Sequence, residues 1–417
     1  MEILSIGEKI KRCRIYKGCT LKDVCGSKIS VSKMSCIENG KIKPEEWILD
    51  HVAKKLEMDV KYLKEDIRQQ IEKNVKELKN NDFSKSYEKD LEYNLVFAEE
   101  NNYYDLAFEI LHLMFNYYLN ENKLEKNQLT ISKYYTLCKN SRNEDNLAIY
   151  YLDIGQYFFN IKEYAQASNY YNNVKKFSGD ANKKSMLIEA TYKEAACYIM
   201  LKKYNKAYEI ALELKKLLKY VEDNVKKAEI YHMLALLSLR MGKDNFKKYE
   251  KESYKLYEDN NFYKSQAMFN YATVMFEISM KDEGINYVKC SLQCFPKDDK
   301  HKLVKFMVKN INKLIENSHL DEAGKICEEA LDYAIVLDDL KYIEKTYYYK
   351  SIIMERKGDL ENAEIYMNLA LGLLTKFGTK KDIYFRYMEL GNIYHKLDNI
   401  KESIKYFNLA INLKKYI

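Results

Sequence analysis

The chain has little of what interrupts a helix. Its 417 residues hold two prolines, Pro44 and Pro296, and 13 glycines. Lys, Glu, Leu, Tyr, Ile and Asn dominate what remains, so strands and proline-rich linkers have no support and an all-α fold is expected. Missing too is any run of about 18 apolar residues, and the amino terminus has no apolar core. Neither a membrane span nor a secretory leader is therefore expected, and the reading is cytoplasmic. Nine cysteines, an odd number, are scattered without a Cys-x-x-Cys pair. That pattern excludes a zinc ribbon and a disulfide framework and fits a reducing compartment. Cys290 and Cys294 share one helix face, and burial as small apolar residues is expected of them. The six histidines (His51, His112, His232, His301, His319 and His395) have no Ser, Cys or Asp partner at a recognisable spacing. No enzyme, cofactor or metal site is read from them.

Charge is present but lopsided. Of the net +7, residues 1–43 contribute +6, from ten Lys/Arg against four acids. A basic end on a nearly neutral body points to one polyanion-binding module.

Within that end, Ile6, Ile10, Cys13 and Ile15, with Leu4, mark the apolar face of a first helix stopped by Gly18. Thr20 caps a short second helix, Leu21 to about Cys25, and Gly26-Ser27-Lys28 makes a turn. A third helix opens at Ser30 or Val31 and closes before Asn39-Gly40. A fourth begins at Glu45 or Glu46, with Trp47, Leu49, Val52, Ala53 and Leu56 as its apolar side. Val60, Tyr62 and Leu63 close a five-helix domain of residues 1–65. A short helix braced by a second can enter the DNA major groove with its amino-terminal side chains at the base edges. Val31, Ser32, Lys33, Ser35 and Cys36 occupy that end or the outward face, and Met34 and Ile37 point inward. Arg12, Arg14, Lys28, Lys41 and Lys43 are assigned to phosphates.

A charged helix follows, with Ile67, Ile71, Val75 and Leu78 in one stripe, broken at residues 80–84. Residues 66–101 read as this linker helix and an irregular helix pair. From 102 to 417 similar blocks recur every 37 to 40 residues. One column holds Gly155, Ala195, Ala235, Ala272, Ile311, Ser351 and Gly391. Another, twelve residues on, holds Ala167, Ala207, Lys247, Gly284, Ala323, Ala363 and Ser403. Small residues where two helices cross, with aromatics such as Tyr164, Tyr171, Tyr394 and Phe407, fit about eight tetratricopeptide-like helix pairs stacked into a right-handed superhelix.

The segment Thr20-Leu21 to Val24 and then Ile29-Ser30-Val31-Ser32-Lys33-Met34-Ser35-Cys36-Ile37-Glu38-Asn39-Gly40 resembles the Cro/repressor-type helix-turn-helix, in its Rgg- and PlcR-like branch. Cys36 stands where that family usually has Arg, which implies a lost phosphate or base contact. Joined to such repeats, the chain is similar to the RRNPP group of peptide-pheromone regulators. The resemblance implies a homodimer that binds double-stranded operator DNA and an imported short signalling peptide. Rap-like action on a response regulator, with Gln69 or Gln70 orienting a water, is the alternative, as is a scaffold for a protein partner.

On the repeat phase, the first helix of each pair turns Gln156, Asn160, Tyr192 and Lys193 inward. Further along come His232, Gln266, Asn270, Lys305, Lys309 and Asn312, and then Tyr348 and Asn392. Side-chain amides suit peptide backbone because each both donates and accepts. The cluster Gln266, Asn270, Lys305, Lys309 and Asn312 is read as the receptor for backbone and a carboxylate.

Overall fold

The computed structural model describes residues 2–80, 86–177 and 184–415, and every regular element among them is helical. The chain divides into two compact units, Met1–Ile210 and Ala211–Ile417.

The first unit opens with α1 (Ile6–Tyr16), α2 (Leu21–Cys25), α3 (Val31–Glu38), α4 (Glu46–Leu56) and α5 (Val60–Lys64). Capping explains the short pieces. Ser5 with Glu8 and Thr20 with Asp23 form reciprocal capping boxes, and the Ser30 hydroxyl accepts the Lys33 amide. These helices enclose their own core, in which Ile10, Met34, Ile37, Ile48, Val52, Leu56 and Leu63 are essentially inaccessible. Three expectations fail here. Ile15 and Trp47 are about half exposed or more, at 60% and 45%, because the core is already closed by Ile10 and by Ile48 with Leu49. Lys9, outside the apolar face that the pattern marks on this helix, is nevertheless fully buried. Its ammonium donates to the carbonyls of Tyr62 and Glu65, both at 2.7 Å, which satisfies the end of α5. Burial pushes the Lys9 pKa down.

Helices α6 (Ile67–Asn80) and α7 (Tyr87–Glu100) follow. The expected break beyond Asn80, residues 81–84, lies outside the described residues. The N-terminal segment joins this part of the molecule: Ile3 is buried with Ile71, Val75, Tyr87 and Leu91. Gln70 binds both the amide (3.0 Å) and the carbonyl (2.9 Å) of Leu4.

Eight helix pairs come next. They are α8 (Tyr104–Asn120) with α9 (Leu124–Asn140), α10 (Glu144–Asn160) with α11 (Tyr164–Val174), and α12 (Lys184–Met200) with α13 (Tyr204–Lys216). Then come α14 (Asn224–Arg240) with α15 (Phe246–Tyr257), α16 (Asn261–Glu277) with α17 (Lys281–Cys294), and α18 (Lys300–Glu316) with α19 (Leu320–Val336). The last are α20 (Leu340–Lys357) with α21 (Leu360–Phe377) and α22 (Lys380–Lys396) with α23 (Ile400–Lys414). The two small-residue columns are where the helices of a pair cross. The Ser351 hydroxyl donates to the Ala363 carbonyl and the Ser403 hydroxyl to the Gly391 carbonyl. A Cβ on Gly155 would lie 2.5 Å from the Tyr171 ring, and one on Gly391 2.7 Å from Phe407. Gly155→Ala should therefore cost about 1–3 kcal/mol through overpacking, seen as a lowered thermal midpoint with unchanged helix content.

Each pair turns through one residue in the left-handed region: Asn122, Lys162, Lys202, Gly242, Ser279, Ser318, Gly358 and Asp398. Two are glycine; the others hold a strained backbone that tandem hydrogen bonds enforce, as in Lys162 N–H to Phe159 O and Glu163 N–H to Phe158 O.

Candidate nucleic-acid interface and inner repeat face

Helix α3 is held at its two ends by different means. Its last turn meets α1 at Gly7, where a Cβ would fall 2.4 Å from the Ile37 carbonyl oxygen. There Arg14 grips Glu38 with two bonds, Nε to Oε1 at 2.6 Å and Nη2 to Oε2 at 2.8 Å, and Nη1 donates to Cys19 O at 3.1 Å. Glu38 is almost completely buried. This corrects the phosphate role expected of Arg14. Its guanidinium is enclosed and consumed, fixing α1 to α3 and to the loop before α2. Arg12 is exposed but pairs with Glu2.

The amino-terminal end of α3 is open. Val31 and Ser32 are exposed, Ser35 and Cys36 are half-buried, and Lys28, Lys41 and Lys43 stand in solvent. Among the described residues, none of these three lysines is in an ion pair. Lys33 has partners that sequence reasoning missed. Its ammonium lies 2.7 Å from Glu45 and 5.9 Å from the Trp47 ring centroid, and the Trp47 indole N–H donates to Glu45 at 2.8 Å. Lys33 and Trp47 hold the Glu45 carboxyl below its usual range. The spacing from Lys33 to Glu45 crosses a loop and has no periodic signature, so the pair was invisible beforehand.

In the repeats, the first helices of neighbouring pairs touch: α8 with α10, α10 with α12, α14 with α16, and α18 with α20. In the first unit Gln156 bonds Asn160 at 2.8 Å along α10, and the Tyr171 hydroxyl reaches Gln156 at 3.5 Å. Tyr192 is half-buried, and Lys193 pairs with Glu189. The same unit gives one histidine an acidic partner at a spacing the sequence does not mark. His112 Nδ1 lies 2.6 Å from Asp153 Oδ2, and the Tyr134 hydroxyl donates to that oxygen at 2.7 Å. Asp153 and Tyr134 are buried. These partners are 41 and 22 residues from His112, in neighbouring helices, and only the repeat phase could have aligned them.

The second unit brings part of the expected cluster together. His232 Nε2 and Asn270 Nδ2 are 3.2 Å apart, and the imidazole stands against the Tyr271 ring at 4.8 Å. Burial pushes the His232 pKa down to about 4, so the ring is neutral. Lys309 donates to Gln266 Oε1 at 3.4 Å, with its ammonium 4.2 Å from the Phe269 ring centroid. Lys305 is exposed. Asn312 instead donates to Glu316 on its own helix at 2.7 Å. Tyr348 belongs to a different group: its hydroxyl donates to Glu389 at 2.9 Å, and the Arg386 guanidinium lies 3.6 Å from its ring centroid while pairing with buried Glu344. Asn392 is exposed on α22.

Two further expectations change. Gln70 is buried and spent on Leu4, which removes it as a candidate to orient a water, and the Gln69 side-chain carbonyl caps α6 by accepting the Asp66 amide while the Gln69 backbone N–H donates to Asp66. Cys290 is exposed, against the burial expected of it. Among the described residues no group of three or more His, Cys, Asp or Glu is placed to hold a metal ion, and no helix is long and apolar enough to cross a membrane.

No family model matches the chain, and no curated protein does. Solved structures give likenesses. The chain is similar to the apo form of the quorum sensor NprR from Bacillus thuringiensis, at 15% identity over 84% of this chain and 100% of that one, with TM-score 0.44. Another likeness is to Bacillus thuringiensis PlcR in complex with the peptide PapR7 and DNA, at 15% identity over 61% and 94%, TM-score 0.35. A third is to aspartyl phosphate phosphatase F of Bacillus subtilis, at 14% identity over 99% and 96%, TM-score 0.40.

Proposed function

We propose that this chain is a peptide-responsive transcription regulator. In this reading residues 1–65 form the DNA-binding domain, α3 reads the major groove, and the inner face of the repeats takes a short signalling peptide. The observation that carries the proposal is the state of α3. Its carboxyl end is locked by Arg14 and Glu38, while its amino end presents Val31 and Ser32 beside three unpaired lysines. That is the arrangement a recognition helix requires: a braced element, a free reading end and cations for the flanking phosphates. Val31 is placed for a thymine methyl, and Lys33 reaches guanine or phosphate once it leaves Glu45.

A homodimer would set two such helices about 34 Å apart, one helical turn of DNA, and a peptide that shifts their spacing would change operator affinity. Gel-shift titration on the DNA upstream of its own coding region tests the reading. Sequence-specific binding at physiological salt is expected, and its absence would sink the proposal. Lys33→Ala should weaken specific binding at least about tenfold while leaving non-specific binding nearly intact. Removing Lys28, Lys41 and Lys43 should instead flatten the salt dependence, by roughly 0.9 in the log–log slope per lysine.

A further inference from the structure

Cys290 and Cys294 are the only two cysteines of the chain that stand four residues apart, and α17 sets them one turn from each other on one face. Their setting differs from that of the other thiols. Cys25, Cys138, Cys197 and Cys327 are buried, whereas Cys290 is exposed and Cys294 is half-buried as the last residue of its helix. The Cys294 sulfur has a fixed place: it lies 3.7 Å from the carbonyl oxygen and 3.7 Å from the side-chain oxygen of Asn261, at the start of α16. The charge of Cys290 is felt there, and so is that of Lys264 in the first turn of α16.

Helix geometry decides what such a pair can do. Residues four apart carry their Cβ atoms about 5–6 Å from one another. A disulfide needs about 3.5–4.5 Å between Cβ atoms, so the two sulfurs cannot bond directly while α17 keeps its last turn. An ion between them removes the mismatch. Two thiolate–metal bonds of the length found for zinc, about 2.3 Å each and in line, set the sulfurs about 4.6 Å apart. Sulfurs standing on Cβ atoms at helical spacing reach that separation with a slight inward lean. Among the described residues no third His, Cys, Asp or Glu completes the group. Zinc, which takes four ligands in a tetrahedron, is poorly served by two. Copper(I) is soft, selects thiolate sulfur and is satisfied by a pair.

We infer that Cys290 and Cys294 form a two-thiolate site for copper(I). Binding displaces both thiol protons: two R–SH and Cu⁺ give [Cu(SR)₂]⁻ and two H⁺, with no change of oxidation state. The product carries one negative charge. The carboxyl end of α17 opposes that charge, and the Lys264 ammonium favours it. The site stands apart from the DNA and peptide readings above and depends on neither.

The test titrates the full chain with copper(I), anaerobically and under reduction, against the chromophoric chelator bicinchoninate, whose colour reports the ion left unbound. The parent should withdraw one equivalent from the chelator. Cys290→Ala and Cys294→Ala should each lose that equivalent, because one thiolate alone cannot compete, whereas Cys36→Ala should keep it. Lys289→Cys in the Cys290→Ala background preserves the number of thiols but moves one off the shared face, at positions that are both exposed, and should not restore binding. Coincident melting curves establish that the variants are folded. Failure of the parent to take copper(I) overturns the site, as does retention of the equivalent by either single alanine variant or by the displaced-thiol variant. Zinc(II) held as tightly as copper(I) overturns the two-thiolate assignment.

Discussion

Glu38→Ala is expected to unfold the first five helices while the repeats stay helical, and with them to lose the DNA binding proposed above. Glu38 is buried and is the only carboxylate that Arg14 meets among the described residues. Removing it strands a guanidinium of which only 15% of the side chain reaches solvent. Breaking a buried pair by deleting one partner typically costs about 3–5 kcal/mol. A domain of some 65 residues rarely has much more than that in total, so the loss should be all or none. A two-step melt by circular dichroism, with the early transition moved below room temperature, would show it. The double variant Glu38→Leu with Arg14→Met should recover most of the stability, because it removes both charges and not one. If Glu38→Ala melts like the parent, the ion pair does not hold α3.

Asp153→Ala should have a comparable effect within the first unit, about 3 kcal/mol or more, and pH distinguishes it. His112 loses pKa to burial and regains more from the hydrogen bond and charge of Asp153, with a smaller gain from Glu109 and a small loss to Lys79; the net direction is up from 6.5. A group whose folded pKa is raised contributes stability that is fully present below its unfolded value. The contribution disappears as pH climbs through the folded value. The thermal midpoint of the parent should therefore fall between pH 6 and pH 9, and Asp153→Asn should flatten that fall. A midpoint that rises over the same interval would mean the imidazole is neutral when folded. Tyr134, whose hydroxyl also serves Asp153, is raised well above its ordinary value by burial and stays protonated throughout.

The first five helices were readable almost to the residue because each is announced locally: a capping residue, a glycine stop, an apolar pair such as Met34 and Ile37. The repeat columns were readable for a related reason, since Gly155 against Tyr171 and Gly391 against Phe407 are steric requirements that recur with the period. What sequence reasoning could not reach were pairs formed across loops or between helices. Arg14 with Glu38, Lys33 with Glu45 and His112 with Asp153 join residues 24, 12 and 41 apart, and each decides what a charged side chain is free to do. The turns misled in a different way. Six of the eight left-handed positions carry a side chain, so the absence of glycine there concealed a regular feature.

The docking of the N-terminal segment onto α6 has a mechanical consequence. Ile3 sits in the core beneath α6, and Gln70 clasps Leu4 through both backbone groups, while Lys9 seals the joint from the other side. The first helices are thus bolted to a rod of 14 residues, about 21 Å long at 1.5 Å per residue. A tilt of about 10° at the far end of that rod swings the near end by about 4 Å, close to the rise of one base pair. If the first helices bind DNA as proposed, small angular adjustments in the neighbouring helices are geared up to whole steps along the site, and loosening the clasp by Gln70→Ala would let the gear slip.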